Sequence, residues 1–335
     1  MITETPPPGI DAPPPRRRSI AKRLLLVFLL LAVLAVFGAV AFLLWADSKI
    51  DRIDAADLPS LSLVEGETRT FLLVGTDDRS DLPDDFDHFG DFAGSRTDTI
   101  ILVNFTLGEG AQMLSIPRDL RVEIPGEGTN RINAAFVFGG PELLINTLHQ
   151  NLAIGINNYV EIDLAGFAHL VDALGGVDIR FDHPARDGKS GLDVGDGVQT
   201  LNGEEALAFV RSREYEELQD GDWVSVGASD IGRTRRQQDF LLALFDQAAS
   251  RRNAFDLPGF ASTVAEEVTV DSGLGLGLII ELGRAALGLS TSDIEARTLP
   301  VTGQQGSDGR AYVVPTSEAE PVLSAFRAGL PFPPE

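Results

Sequence analysis

The chain contains no cysteine. That absence excludes disulfides, thiol nucleophiles and iron–sulfur sites, without fixing a compartment. Histidine is sparse too. His88, His149, His169 and His183 show no ligand spacing and read as structural or surface residues. No G-x-S-x-G motif occurs and no Ser–His–Asp order stands out. Positive charge is also in short supply. The net charge is −23, and beyond residue 46 only 22 bases face 48 acids. Such a surface repels nucleic acid, so no DNA or RNA partner is expected. Lysine is nearly missing from that stretch: 20 of its 22 bases are Arg, leaving Lys49 and Lys189. Arg is the side chain suited to bidentate phosphate recognition.

The first 46 residues differ in kind from the rest. Residues 1–15 are Pro-rich, with Pro6-Pro7-Pro8 and Pro13-Pro14-Pro15, and read as a disordered tail. A basic flank, Arg16 to Arg23, completes a cytoplasmic segment over 1–23. Leu24 to Ala46 then runs 23 residues without a charge. At about 1.5 Å per residue, a helix of that length crosses a hydrocarbon core of about 30 Å. The run exceeds the usual apolar region of a cleaved leader, and no clear A-x-A site follows. One transmembrane helix over 24–46 is therefore expected, as an uncleaved signal-anchor. The bases before it hold the N-terminus inside. Trp45 suits the far interface, and everything from Asp47 onward is then extracytoplasmic. Residues 47–69 read as a polar stalk before a domain over 70–330.

Within that domain strands and helices alternate. Phe71-Leu72-Leu73-Val74, Thr99 to Phe105 and Ala111 to Ile116 read as buried strands. Pro141 to Asn151 has helical spacing, and Tyr159 to Ile162 is a strand. Asp163 to Leu174 is a helix with Asp163 as N-cap and Gly175 as its stop. Val177 to Phe181, a short helix over Gly203 to Val210 and a long one over Arg233 to Ser250 follow. Strands near 293–299 and 311–315 and a helix over 317–328 complete an α/β domain with helices on both faces of a mixed sheet. The string Gly273-Leu274-Gly275-Leu276-Gly277 follows no convincing strand with a spaced acidic partner, so it is not read as a dinucleotide loop.

Polar motifs gather at the strand ends, where α/β domains place ligands. Gly75-Thr76-Asp77-Asp78-Arg79 follows the first strand and Ser95-Arg96-Thr97-Asp98-Thr99 leads into the second. Ser115-Ile116-Pro117-Arg118-Asp119 ends the third, followed by Arg131-Ile132-Asn133-Ala134-Ala135-Phe136. Arg211-Ser212-Arg213 ends the short helix, and Asp230-Ile231-Gly232-Arg233-Thr234-Arg235-Arg236-Gln237-Gln238 opens the long one. Arg pairs with carboxylates or phosphates in a planar fork. Asp77 and Asp98 flank neighbouring strands, so they could share one cleft. Two carboxylates plus phosphate oxygens make a reasonable Mg²⁺ site. Arg233 and Arg236, three apart, share a face of a helix whose N-terminus favours anions, while Arg235 faces solvent. For any one of these residues a turn, cap or surface ion pair is the ordinary role; the ensemble points to a phosphate ligand.

The strings GTDDR, SRTDT, SIPRD, RINAAF, LNGEEALAFVRSR and DIGRTRRQQ, in that order, resemble the LytR–CpsA–Psr family. The resemblance runs from about residue 70 to 245 and weakens toward the end. It implies an α–β–α sandwich with a central mixed sheet, holding a polyprenyl pyrophosphate with its tail in an apolar tunnel. It implies transfer of a phospho-glycan from that carrier to a cell-wall or surface acceptor. Asp77 and Asp98 match the family's Mg²⁺ ligands. Arg96, Arg118, Arg211, Arg213 and Arg233 match its pyrophosphate-binding arginines, with Gln237 nearby. Asp77 would also help deprotonate the acceptor, Arg118 would act on the reacting phosphate, and Asp230 would orient the Arg cluster. Arg79, Arg131 and Arg236 join the substrate-binding candidates from their place in the motifs. Arg131 stands where the family often has Lys, so charge is kept and geometry is not. Acidic insertions over 80–94 and 214–229 depart from the pattern and read first as solvated loops.

Three functions are compatible with these motifs. The cleft could transfer the phospho-glycan, hydrolyse the pyrophosphate with water as acceptor, or bind the lipid-linked glycan as a membrane-tethered regulator. The paired Asp and the Arg set argue for chemistry, since a binder has less need of a metal pair.

Overall fold

The computed structural model describes residues 45, 47–53, 68–77, 97–106, 109–227, 230–250, 257–275, 277–279, 281–282 and 289–334. The chain divides into two units, 1–45 and 46–335. The expected membrane helix lies, apart from Trp45, outside the described residues. Among the described residues no helix is long and apolar enough to cross a membrane. The acidic insertion over 80–94 also lies outside them.

Seven strands form the central sheet: β1 (Asp51–Ile53), β2 (Thr68–Thr76), β3 (Thr97–Thr106), β4 (Gly110–Ser115), β5 (Asn158–Ile162), β6 (Val268–Asp271) and β7 (Ile294–Thr298). Their order is β1-β6-β5-β2-β3-β4-β7. β2 and β3, and β3 and β4, pair antiparallel, whereas β5 runs parallel to β2 and β7 parallel to β4. The sheet is thus mixed, as expected. The middle strands read as continuous apolar runs because both of their faces are covered. Leu72, Val74, Ile100, Leu102 and Leu114 point to one face, where they pack with Leu144, Leu148, Val322 and Phe326. Phe71, Leu73, Val103 and Phe105 point to the other, against Val270, Leu274, Leu278 and Ile279. Each fully buried side chain of this kind contributes about 1.5–3 kcal/mol.

The helices on the first face are α1 (Asn133–Leu152) and, at the end of the chain, Ala319–Ala328. The latter is tied to the sheet by Asn104, whose side-chain amide donates to the Phe326 carbonyl at 2.6 Å. α1 begins well before the helix expected from Pro141, because Asn133 to Phe138 form a first helical piece. Gly139-Gly140 breaks it, with Gly140 at φ 62°, ahead of Pro141. α2 (Leu164–Ala173) has the expected cap: Asp163 accepts from the Gly166 N–H at 2.7 Å. α3 (Gly203–Arg211) starts with a capping box between Asn202 and Glu205. α4 (Asp230–Ser250) begins three residues earlier than its apolar pattern suggests, so its Arg residues lie in the first two turns. α5 (Leu257–Glu267) leads into β6. Phe240 of α4 is fully buried in a second core with residues of α2 and α3 and with the antiparallel strand pair 177–181 and 197–201.

Two expectations need correction. The stalk over 47–69 is in part sheet: Asp51–Ile53 pairs parallel with β6 as an edge strand, and Thr68 and Arg69 belong to β2. The 214–229 insertion is no simple loop either. Glu216–Gln219 and Asp222–Ser225 form a hairpin that extends a small sheet made with Ala185–Asp187 and Leu192–Val194. Arg186 stacks 4.0 Å from the Trp223 ring centre, which fixes the hairpin onto that sheet.

Candidate active site

The C-terminal ends of β2, β4, β5 and β7 and the N-terminal end of β3 meet at one edge of the sheet. Asp77 follows β2 at that edge. Asp98 reaches it through an irregularity in the ladder. Gly75 pairs with Thr99 and Thr76 with Thr97, so Asp98 is an extra residue in a bulge. A bulge takes one residue out of the ladder and re-aims its side chain.

Arg118, just beyond β4, donates from Nη1 to Asp98 Oδ1. Its Nε lies 3.7 Å from Asp119 Oδ2, and Arg131 Nη1 lies 3.3 Å from the other Asp119 oxygen. Asp119 thus bridges two arginines and steadies the one that meets Asp98. Burial by itself would raise the Asp98 pKa. The Arg118 contact, with Arg233 and Arg213 nearby, outweighs it and holds that carboxyl below the ordinary value of 3.8. Asp98, Ser115, Pro117, Arg118, Arg233 and Gln237 share a cleft. Its wall is tied together by Gln238, whose amide donates to Ser115 Oγ at 2.8 Å and to the Arg297 carbonyl at 2.9 Å.

The structure therefore brings Asp98, Arg118, Arg213, Arg233 and Gln237 together, with Asp77 on the adjoining strand end. Gln237 also donates to the Val210 carbonyl at 3.3 Å. Arg211 is the last residue of α3, two before Arg213. Asp230 is the first residue of α4, and its side chain lies outside the described residues. Arg79 and Arg96 lie outside them as well.

Arg131 and Arg236 make other contacts. Arg131 is spent on Asp119 and on the Ala311 carbonyl, to which its Nε donates at 3.0 Å. Arg236 shares the buried face of α4 with Arg233 but turns away from the cleft. Its Nη2 donates to the Ser212 carbonyl at 2.5 Å, its Nη1 to the Gly227 carbonyl at 3.3 Å, and its guanidinium lies 4.7 Å from the Tyr215 ring centre.

Asp187 carries no motif that singles it out in the sequence. It is buried at 1% exposure. Its Oδ2 accepts from Ser212 Oγ, the Arg213 N–H and the Glu214 N–H at 2.7–2.8 Å, and its Oδ1 from the Lys189 and Ser190 N–H groups. Burial would raise its pKa, but these donors bring it below 3.8. A carboxyl with a depressed folded pKa adds stability that is complete above its unfolded pKa and is lost as pH falls through the folded value. Thermal melts between pH 6 and pH 3 should show an acid-dependent loss of Tm that is smaller in Asp187→Asn (these pH values bracket the ordinary carboxylate range, about 4). An unchanged acid dependence in that variant would refute the assignment.

Known proteins resemble this chain in sequence and in fold. Residues 46–327 match the model of the LytR_cpsA_psr family. The chain is 34% identical over 305 residues to a probable cell wall biosynthesis protein, LcpB, of Corynebacterium glutamicum, covering 88% of this chain and 70% of that protein. It is 33% identical over 227 residues to TagU of Halalkalibacterium halodurans, a polyisoprenyl-teichoic acid–peptidoglycan teichoic acid transferase, covering 66% of this chain and 67% of that one. A solved LytR-Csp2A-Psr enzyme from Actinomyces oris superposes with a TM-score of 0.66 at 31% identity, over 83% of this chain and 96% of its own. By sequence match, by fold and by the order of its motifs, this chain belongs to the LytR–CpsA–Psr family.

Proposed function

We propose that the protein transfers a phospho-glycan from a polyprenyl-pyrophosphate carrier to a cell-wall or cell-surface acceptor. The observation that carries this reading is the Asp98–Arg118 pair at the sheet edge, with Arg213 and Arg233 close enough to act on the same carboxylate. Three guanidinium groups of an acidic chain, those of Arg118, Arg213 and Arg233, surround one carboxylate, an arrangement suited to a pyrophosphate. The named transferase activity of the TagU relative supports it. Half-buried apolar side chains on the second face of the sheet, Leu73, Val103 and Val160, suit an isoprenoid tail. The 24–46 run suits a single-pass anchor in the cytoplasmic membrane, with the catalytic domain outside.

In this reading the acceptor hydroxyl oxygen bonds to the glycan-side phosphorus. The bond to the bridging oxygen breaks, and polyprenyl phosphate leaves with the electron pair. Arg118, Arg213 and Arg233 neutralise charge on the phosphate oxygens, and Asp77 takes the hydroxyl proton. The donor set fits Mg²⁺. Asp77 and Asp98 are hard carboxylates on adjoining strand ends. Mg²⁺ readily completes such a site with phosphate oxygens and water. When bound, the ion adds positive charge beside the pyrophosphate.

The test is a mass-resolved assay of the full-length protein in detergent, with a short polyprenyl-pyrophosphate sugar and a glycan acceptor. Polyprenyl monophosphate and a glycan conjugate should form only with Mg²⁺. Free phospho-glycan in place of the conjugate would convert the reading to hydrolysis. Tight binding without turnover would convert it to a lipid-glycan binder.

A further inference from the structure

The segment that carries Arg213 is gripped from two sides. Asp187 takes the Ser212 hydroxyl and two consecutive backbone N–H groups, those of Arg213 and Glu214. Arg236 takes the Ser212 carbonyl from α4 and lies over Tyr215. The donors to Asp187 Oδ2 stand 25 to 27 residues away in sequence. The Lys189 and Ser190 contacts make a local turn at Oδ1 and would suffice for that turn alone. The second oxygen is committed to a different segment. Three donors converging on one buried oxygen leave the Arg213 backbone a single position. Arg213 itself is exposed and projects from that fixed point.

We infer that Asp187 is a positioning residue, which aims Arg213 at the cleft by fixing the turn after α3. The inference rests on the reading under Proposed function, since Arg213 must meet the pyrophosphate there. A purely structural carboxylate would lower stability without acting through one arginine. A positioning one loses its effect once that arginine is gone, because contacting or serially linked residues are not additive.

The experiment measures binding of geranylgeranyl pyrophosphate to the full-length protein in detergent micelles. The variants are Asp187→Asn, Arg213→Ala, their double variant, Ser212→Ala and Arg118→Ala. Asp187→Asn should weaken binding about tenfold, since small misplacements of a ligand-holding group are costly. Arg213→Ala should weaken it at least as much, and the double variant no further. Additive losses, or wild-type binding by Asp187→Asn, would overturn the inference. If Asp187→Asn does not fold, Ser212→Ala removes a single donor. It should weaken binding about threefold in the wild-type background and not at all beside Arg213→Ala; any other outcome overturns the proposal. The parent reading fails separately: the wild-type protein would then not bind the probe, or Arg118→Ala would bind it equally well.

Discussion

Arg118→Ala should lower kcat/KM for glycan transfer by about a thousandfold, the loss seen when a guanidinium that stabilises a phosphoryl transition state is removed. Three features put the largest effect here. Arg118 is the direct partner of Asp98, it lines the cleft, and it is steadied by Asp119. Its side chain keeps 18% exposure, enough to meet a ligand while its other contacts hold it. Removing it also strips Asp98 of its nearest positive charge. Stability should fall much less than activity, since the pair is partly open to solvent and such pairs are worth about 1 kcal/mol or less. Arg118→Lys should recover only part of the rate, because the ammonium keeps the charge but not the planar fork. Steady-state rates and melting temperatures, taken together, check this. A wild-type rate in Arg118→Ala would remove Arg118 from the reaction.

The second large effect is expected from Gly232→Ala. A Cβ at Gly232 would stand 1.8 Å from the Gly227 carbonyl oxygen and 2.6 Å from its carbon. Both atoms are backbone, and that same oxygen accepts from Arg236. Gly227 itself sits at φ 58°, so its turn has little freedom to retreat. The first turn of α4 must move, and with it Arg233, one residue on. We expect kcat/KM to fall about a hundredfold, in line with small misplacements at reacting centres. Tm should fall by several degrees, about 2–4 °C per kcal/mol of overpacking strain. Gly275→Ala is the matched control, since nothing lies within 4 Å of its added carbon. Equal rates in the two variants would show that the approach of α4 to the Gly227 turn is unimportant.

The sequence made some of this legible and not the rest, for physical reasons. β2 and β3 are readable because both faces are covered and each carries an apolar run, Phe71 to Val74 and Ile100 to Val103. Asp163 was readable as a cap because its partner is three residues away. The hairpin of Arg121–Ile124 with Gly128–Arg131, and the one from Glu216 to Ser225, were missed. Their strands are four residues long, and one or both faces are polar, which leaves little period to detect. Asp51–Ile53 reads as stalk because an edge strand of three residues carries no pattern at all. At the site, Arg233 and Arg236 were rightly given a common helix face, and both are buried. Spacing could not say that Arg236 would reach the Ser212 carbonyl instead of the cleft. Asp187 was illegible because the donors that give it meaning on the Arg213 side come from a distant segment.

The bulge at Asp98 has a consequence for how this domain can change over time. The carboxylate is an insertion into the β2–β3 ladder, so the pairs on either side of it, Gly75 with Thr99 and Thr76 with Thr97, form without its side chain. The side chains that follow it, Ile100, Ile101 and Leu102, are buried in the cores. Reactivity and foldability are thereby placed on separate positions of one strand. A descendant that exchanges Asp98 for a neutral residue can lose its chemistry and still keep the same scaffold, free to be recruited for recognition alone.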